Sequence, residues 1–427
     1  MRLKITPSSL SGKLLAPPSK SYTHRALILA SLAEGASIIE NPLLSDDTRY
    51  TIEACRALGA EIAVESDSLK IIGTGGSIKA EKRKIFAGNS GSTIRMIAPL
   101  AALAQTKVIL DGDSRLRQRP MGELLSALVS LGINARSLNN NGCPPIEIDG
   151  GEFKANRVSL SGETSSQPVS ALLMAAPYTK EGLSIKIDGG LRSRPYIDIT
   201  IDIMRAFGVE GVNRDYKEFL VEGGQRYKAR RYRIEGDYSS AAYFLAAGAI
   251  GGGPVSVTNL RNDSVQGDRY LLTILERMGG AVDYQKEQVK VHRTGGLKGV
   301  NIDLGDYPDL VPTLAVVAAC ASGKTKITNI AHLRFKESDR IDDTAAELVK
   351  MGIKTEVGGD TMVIYGGKPL GAEIDAHRDH RLAMSLAVAA LFADGSSIIN
   401  GAEAVTKSYP RFFSDLAKLG ARVEELS

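Results

Sequence analysis

The sequence predicts an α/β fold of two domains, each built from three copies of one βαβαββ-like unit around buried helices. Three observations lead there. Polar helix-opening residues recur at Lys20, Asn89, Ser165, Asp237, Asp309 and Asp379, separated by 69, 76, 72, 72 and 70 residues. Such a period marks a repeated supersecondary unit. Each of these residues opens an Ala-rich, almost wholly apolar run, as at 241–250, 313–321 and 382–391, and a helix that is apolar on every side has to be buried. A second, amphipathic helix in every copy ends in an apolar-Gly pair: Leu58-Gly59, Leu131-Gly132, Phe207-Gly208, Met278-Gly279, Met351-Gly352 and Leu419-Gly420. Glycine just past the last apolar residue is a helix C-cap signal.

The first copy sets the pattern. Pro17-Pro18 stiffen the approach, Ser19 or Ser21 is placed to cap an apolar helix through Ala33, and a strand follows at 36–40. A turn at Asn41-Pro42 leads to a second helix with Asp46 and Asp47 as acidic capping candidates and Leu58 at its end. Two strands, 61–64 and 69–72, close the unit at Gly73. The strand after the buried helix recurs at 108–110, 183–187, 255–257, 326–330 and 397–399. Solenoid repeats run about 20–50 residues, shorter than these, so compact threefold packing is the expectation, with the boundary in the polar stretch 223–233. The strand 1–5 precedes the first marker and is expected to complete a sheet in the other half. The chain then crosses twice, near Pro18-Ser19 and near Glu235, giving one domain of residues 1–18 and 236–427 and another of 19–235.

Composition excludes several classes. Hydrophobic content of 43%, charge of 24% and a net charge of +4 over 427 residues describe an ordinary globular chain and argue against a general nucleic-acid binder. Cys55, Cys143 and Cys320 form no CxxC pair, so neither a disulfide framework nor a zinc site is indicated, and a reducing compartment, the cytoplasm, is expected. The opening Met1 to Pro7 has no apolar signal region, and the longest apolar run, 382–393, is too short to span a bilayer.

The chemistry concentrates at the markers. Helix N-termini each carry about half a positive charge, and here they are joined by Lys20, Arg25, Arg95, Arg119, Arg340, Arg381 and Lys407, with Lys336 beside Glu337. Any one of these cations alone is more simply a solvated surface residue. Together, next to Ser, Asn and Gly, they describe a phosphate and carboxylate pocket with Arg supplying bidentate forks. The segment 333–340 is densest. If it enters the helix that runs through Leu348, Lys336 and Arg340 share a face at i, i+4 and Glu337 pairs with Arg340 at i, i+3. Glu337 is then a base, a proton relay or a member of an ion network, and Asp309 an N-cap or a second proton-transfer group. Ala321-Ser322-Gly323-Lys324-Thr325 is not a P-loop, because Ala318 stands where the first glycine is required. His377 and His380 lack a third partner, and no metal is expected.

The motifs Pro18-Ser19-Lys20-Ser21 with Arg25, Gly88-Asn89-Ser90-Gly91-Ser92-Thr93-Ile94-Arg95, Arg119-Pro120, Ser165-Ser166-Gln167, Lys336-Glu337-Ser338-Asp339-Arg340 and Asp379-His380-Arg381 closely resemble the 5-enolpyruvylshikimate-3-phosphate (EPSP) synthase family, in order and over essentially the whole chain. The resemblance implies a two-domain inside-out α/β barrel joined by a double-crossover hinge. It also implies transfer of the enolpyruvyl group of phosphoenolpyruvate to the 5-hydroxyl of shikimate-3-phosphate, through a tetrahedral ketal that loses phosphate. Carried over, it puts shikimate-3-phosphate on Ser21, Arg25, Ser165, Ser166, Gln167, Ser193, Tyr196, Asp309 and Lys336. Phosphoenolpyruvate falls on Lys20, Gly91, Arg119, Gln167, Arg340, Arg381 and Lys407, and Asp309, Glu337 and Lys20 are the acid-base candidates. No cofactor, nucleic acid or membrane is implied, and a monomer that closes on its substrates is.

Two departures stand out: His332 lies where some members have Asn against the shikimate phosphate, and Met96 follows Arg95 where many have Pro. Gly91 is retained, which implies inhibition by glyphosate, competitive with phosphoenolpyruvate. The sister transferase acting on UDP-N-acetylglucosamine carries a Cys just before its Arg-Pro pair; the loop 111–118 here has none, and Lys20-Ser21 replaces its Lys-Asn. A nucleic-acid scaffold using Arg226 to Arg233, with Tyr227 and Tyr232 interleaved, rests on a short stretch at the expected boundary.

Overall fold

The computed structural model describes residues 1–80 and 83–426. It divides into two compact units, Met1–Ser19 with Glu235–Ser427, and Lys20–Ile234. The helices, in chain order, are α1 (Lys20–Leu32), α2 (Asp46–Ala57), α3 (Gly91–Leu103), α4 (Gly122–Ser130), α5 (Gln167–Ala175), α6 (Pro195–Ala206), α7 (Tyr238–Ile250), α8 (Tyr270–Met278), α9 (Val311–Ala319), α10 (Arg340–Lys350), α11 (His380–Leu391) and α12 (Phe412–Lys418).

The odd-numbered helices are the apolar ones. Every residue of α7 except Ser239 is buried, as is every residue of α9 and α11. In one unit α7, α9 and α11 pack on one another, in the other α3 packs on both α5 and α1, and each set contributes to its unit's hydrophobic core. The even-numbered helices are amphipathic, and all six predicted terminal glycines, Gly59, Gly132, Gly208, Gly279, Gly352 and Gly420, have positive φ between 77° and 110°. That left-handed step is nearly free only for glycine.

Among the described residues six four-stranded sheets surround these helices, three in each unit, and one topology serves them all. A first strand runs parallel to a second, the second antiparallel to a third, and the third antiparallel to a fourth, as in Lys84–Phe86, Lys107–Asp111, Ile146–Asp149 and Asn134–Ser137. Helices inside and sheets outside make each unit an inside-out α/β barrel. Strands borrowed along the chain close both units. Arg2–Thr6 is the third strand of the last sheet, pairing with Ser397–Asn400 and Arg422–Leu426. Arg231–Arg233 runs parallel to Glu34–Glu40 in the first sheet of the other unit.

Two local expectations are corrected. Asp46 and Asp47 do not cap α2; Ser45 does, in a reciprocal capping box with Thr48. The segment 333–340 does not lie within one helix. Ala331–Phe335 is a 3-10 turn, Lys336 is extended, and α10 starts only at Arg340, capped by Asp339, whose carboxylate accepts from Ile341 N and Asp342 N at 3.2 Å. An Asp two residues before the apolar run outcompetes helix continuation from Leu333, so Lys336 and Arg340 do not share a helical face.

Candidate active site

In the unit Lys20–Ile234, polar groups collect at the N-termini of α1, α3 and α5. Lys20 opens α1 and its Nζ lies 3.1 Å from Asp47 Oδ2. Arg25, one turn on from Ser21, is 2% exposed. Its guanidinium donates to Thr200 Oγ1 (2.7 Å), Ser21 O (2.9 Å), Tyr196 O (2.9 Å) and Ser170 Oγ (3.5 Å), all neutral oxygens. Burial pulls its pKa down from the ordinary arginine value to about 10, and Tyr196 and Tyr22 only partly oppose this. A buried cation bonded to neutral acceptors is poised for an anion.

Gln167 ties α5 to α3. Its Oε1 accepts from Arg95 at 3.0 Å and its Nε2 donates to Ser92 Oγ at 3.0 Å, while Ser165 Oγ accepts from the Gln167 amide at 3.1 Å. Ser166 is buried at the α5 N-cap position. Ser193 is buried with φ 58°, an uncommon backbone for serine, just before α6 and Tyr196. Gly91 begins α3, with Ser90 Oγ accepting from Thr93 N at 3.2 Å. A Cβ on Gly91 would come within 2.6 Å of the Arg119 guanidinium, so the missing side chain is the space Arg119 occupies. Gly91→Ala is therefore expected to displace the Arg119 guanidinium from this position; a crystal structure of the variant with Arg119 unmoved would contradict this. These side chains include four cations, Lys20, Arg25, Arg95 and Arg119, and one carboxylate, Asp47, which Lys20 holds.

The other unit has a different balance. Arg340 is 1% exposed and grips three carboxylates: Asp379 through Nε (2.7 Å) and Nη2 (3.3 Å), Asp309 through Nη1 (2.8 Å) and Glu337 through Nη2 (2.8 Å). Burial opposes its charge, but Asp379, Glu337 and Asp309 more than offset that and hold its pKa well above the ordinary value. Arg381 holds the second Asp309 oxygen at 2.6 Å and donates to the Tyr243 hydroxyl at 3.2 Å. Lys407 Nζ lies 3.7 Å from Glu337 Oε1. Asp379 also caps α11, accepting from Arg381 N at 2.8 Å. Asp309 itself sits in the 3-10 turn Pro308–Leu310 and spends its carboxylate on the two arginines.

Lys20, Ser21, Arg25, Gly91, Arg119, Ser165, Ser166, Gln167, Ser193 and Tyr196 thus fall at neighbouring helix ends of one unit. Asp309, Glu337, Arg340, Arg381 and Lys407 form one ion network in the other, and half-buried Lys336 is its chain neighbour beside Glu337. Asp47, Thr200, Ser170, Tyr243 and the Arg340-binding role of Asp379 escaped the sequence reading, because each acts through a partner distant in the chain. Among the described residues, no group of three or more His, Cys, Asp or Glu side chains is arranged to hold a metal ion.

Residues 5–416 match the family model described as EPSP synthase (3-phosphoshikimate 1-carboxyvinyltransferase). The chain is 45% identical to the 3-phosphoshikimate 1-carboxyvinyltransferase of Methanocella arvoryzae, covering 99% of this chain and 100% of that one. It is 43% identical to the enzyme of that name from Methanocaldococcus jannaschii, over 97% of each. The structure is similar to EPSP synthase from Acinetobacter baumannii, with a TM-score of 0.83 and 29% identity over 99% of this chain and 100% of that one. The enolpyruvyl transferase NikO from Streptomyces tendae shares the fold at a TM-score of 0.78 and 19% identity, over 99% of this chain and 98% of that one. With motifs, fold and full-length likeness in agreement, the chain belongs to the EPSP synthase family, the 3-phosphoshikimate 1-carboxyvinyltransferases.

Proposed function

We infer that the chain transfers the enolpyruvyl group of phosphoenolpyruvate to the 5-hydroxyl of shikimate-3-phosphate and releases phosphate, a step in aromatic amino acid biosynthesis. The observation that carries this reading is the buried Arg25 guanidinium, bonded to neutral oxygens in one unit; in the other unit the carboxylates of Asp309 and Glu337 are held by Arg340 at 2.8 Å. In the first half-reaction the 5-hydroxyl oxygen bonds to C2 of phosphoenolpyruvate, losing its proton to a base while C3 gains one. In the second, C3 of the ketal gives up a proton and the C2–O bond to phosphate breaks. Asp309, Glu337 and Lys20 are the groups assigned to these opposed proton movements.

Shikimate-3-phosphate binds Ser21, Arg25, Ser165, Ser166, Gln167, Ser193 and Tyr196, with Asp309 and Lys336 completing the set. Phosphoenolpyruvate binds Lys20, Gly91, Arg119, Gln167, Arg340, Arg381 and Lys407, whose cations stabilise the departing phosphate. His332 is buried in the 3-10 turn before Lys336. The enzyme works as a cytoplasmic monomer with no nucleic-acid partner; no described helix is long and apolar enough to cross a membrane. Phosphate release from phosphoenolpyruvate is expected with shikimate-3-phosphate as acceptor and not with UDP-N-acetylglucosamine. Turnover with the nucleotide sugar alone would overturn the assignment.

A further inference from the structure

Asp268 is a buried carboxyl that the reaction above does not use. It lies in the 3-10 turn Gly267–Arg269 at the entrance to α8, 4% exposed, and the Ser239 hydroxyl on the first turn of α7 donates a hydrogen bond to its Oδ2. One turn along α7, the Tyr243 hydroxyl accepts from Arg381, whose other terminal nitrogen holds Asp309. The rings of Tyr270 and Tyr307 stack with centroids 4.7 Å apart. The turns bearing Asp268 and Asp309 are thereby fastened together two residues from each carboxyl. The charged groups facing Asp268 are Asp309 on its 3-10 turn, Arg381 on α11 and Asp237 before α7. Burial first, then the Asp309 charge, push the Asp268 carboxyl up to about 7, against the opposing pull of Arg381 and the Ser239 bond. The fold has built a second acid beside the first.

We propose that Asp268 is a positioning residue for enolpyruvyl transfer, acting on the reaction through Asp309. Two guanidiniums grip Asp309 and favour its charged form, which makes it a reluctant proton acceptor. Ionised Asp268 places another anion nearby and offsets that grip; protonated Asp268 withdraws the support. The inference rests on the assignment of Asp309 as a proton-transfer group.

Asp268→Asn keeps the shape and never ionises. Its kcat is expected to equal that of the parent at pH 6 and to fall roughly 3- to 10-fold below it at pH 8, with both KM values within about 2-fold, the effect of one removed charge on a neighbouring base. Asp268→Glu restores the alkaline rise. Ser239→Ala, which removes a bond favouring the ionised form, moves the inflection to higher pH. A D268N profile parallel to the parent from pH 6 to 8, at the same level or uniformly lowered, overturns the proposal. Should D268N not fold, an unmoved inflection in S239A does so. Asp309→Asn, expected to be inactive at every pH, separates the two readings: an active D309N removes the role of Asp309, whereas an inactive D309N with a parallel D268N profile removes only that of Asp268.

Discussion

Replacing Arg25 with methionine is expected to raise the KM for shikimate-3-phosphate by on the order of 10²-fold or more while leaving the melting temperature unchanged or higher. The two halves of this result have one cause. Arg25 is buried and its guanidinium is bonded to neutral oxygens, Thr200 Oγ1, Ser21 O, Tyr196 O and Ser170 Oγ. A basic group whose folded pKa is depressed to about 10 costs stability in full at every pH below about 10, and the cost shrinks only above that value, vanishing where the unfolded chain loses the same proton. Methionine fills most of the volume without the charge, and Thr200 and Ser170 still bond each other at 2.8 Å. What is lost is the cation proposed to meet shikimate-3-phosphate. Unchanged binding of shikimate-3-phosphate, or a KM rise accompanied by a large fall in melting temperature, would return Arg25 to a structural role.

Glu337→Gln is expected to lower kcat on the order of 10²-fold or more, with both KM values within a few-fold. Glutamine retains the shape and can still accept the Arg340 hydrogen bond now made at 2.8 Å, but it cannot take up a proton. The ion network loses one negative charge of the three carboxylates around Arg340, a milder change than truncation to alanine, so a large kcat effect reports chemistry. Near-normal kcat would make Glu337 an ion-network residue alone. Circular dichroism and thermal melting of the variant check that the fold persists.

Much of the fold was legible because it is written six times. Buried helices betray themselves by lacking a polar face, and a glycine after an apolar residue forecasts a left-handed C-cap; α7, α9 and α11 and the six positive-φ glycines follow. Local competition was harder to read. Both Asp339 and Ser45 cap helices that the apolar pattern alone starts elsewhere, since side-chain bonds to free amides decide the first turn.

The candidate site divides the same way. Residues at the repeated helix ends, such as Lys20, Gly91 and Gln167, carry a local signal. The threefold grip of Arg340 on Asp309, Glu337 and Asp379 spans up to 39 positions, and Asp268 meets Ser239 across 29. No spacing rule reaches that far, because these contacts exist only once three buried helices have packed.

Turnover in D2O, followed by mass spectrometry of the product, tests the addition and elimination most directly. Addition places a solvent-derived deuteron on C3 of phosphoenolpyruvate, and elimination then removes any one hydrogen isotope of the resulting methyl group. The expected result is deuterium in the enolpyruvyl methylene of the shikimate-3-phosphate product, together with released phosphate. Phosphate release with a fully protiated methylene, in a product made entirely in D2O, would contradict it.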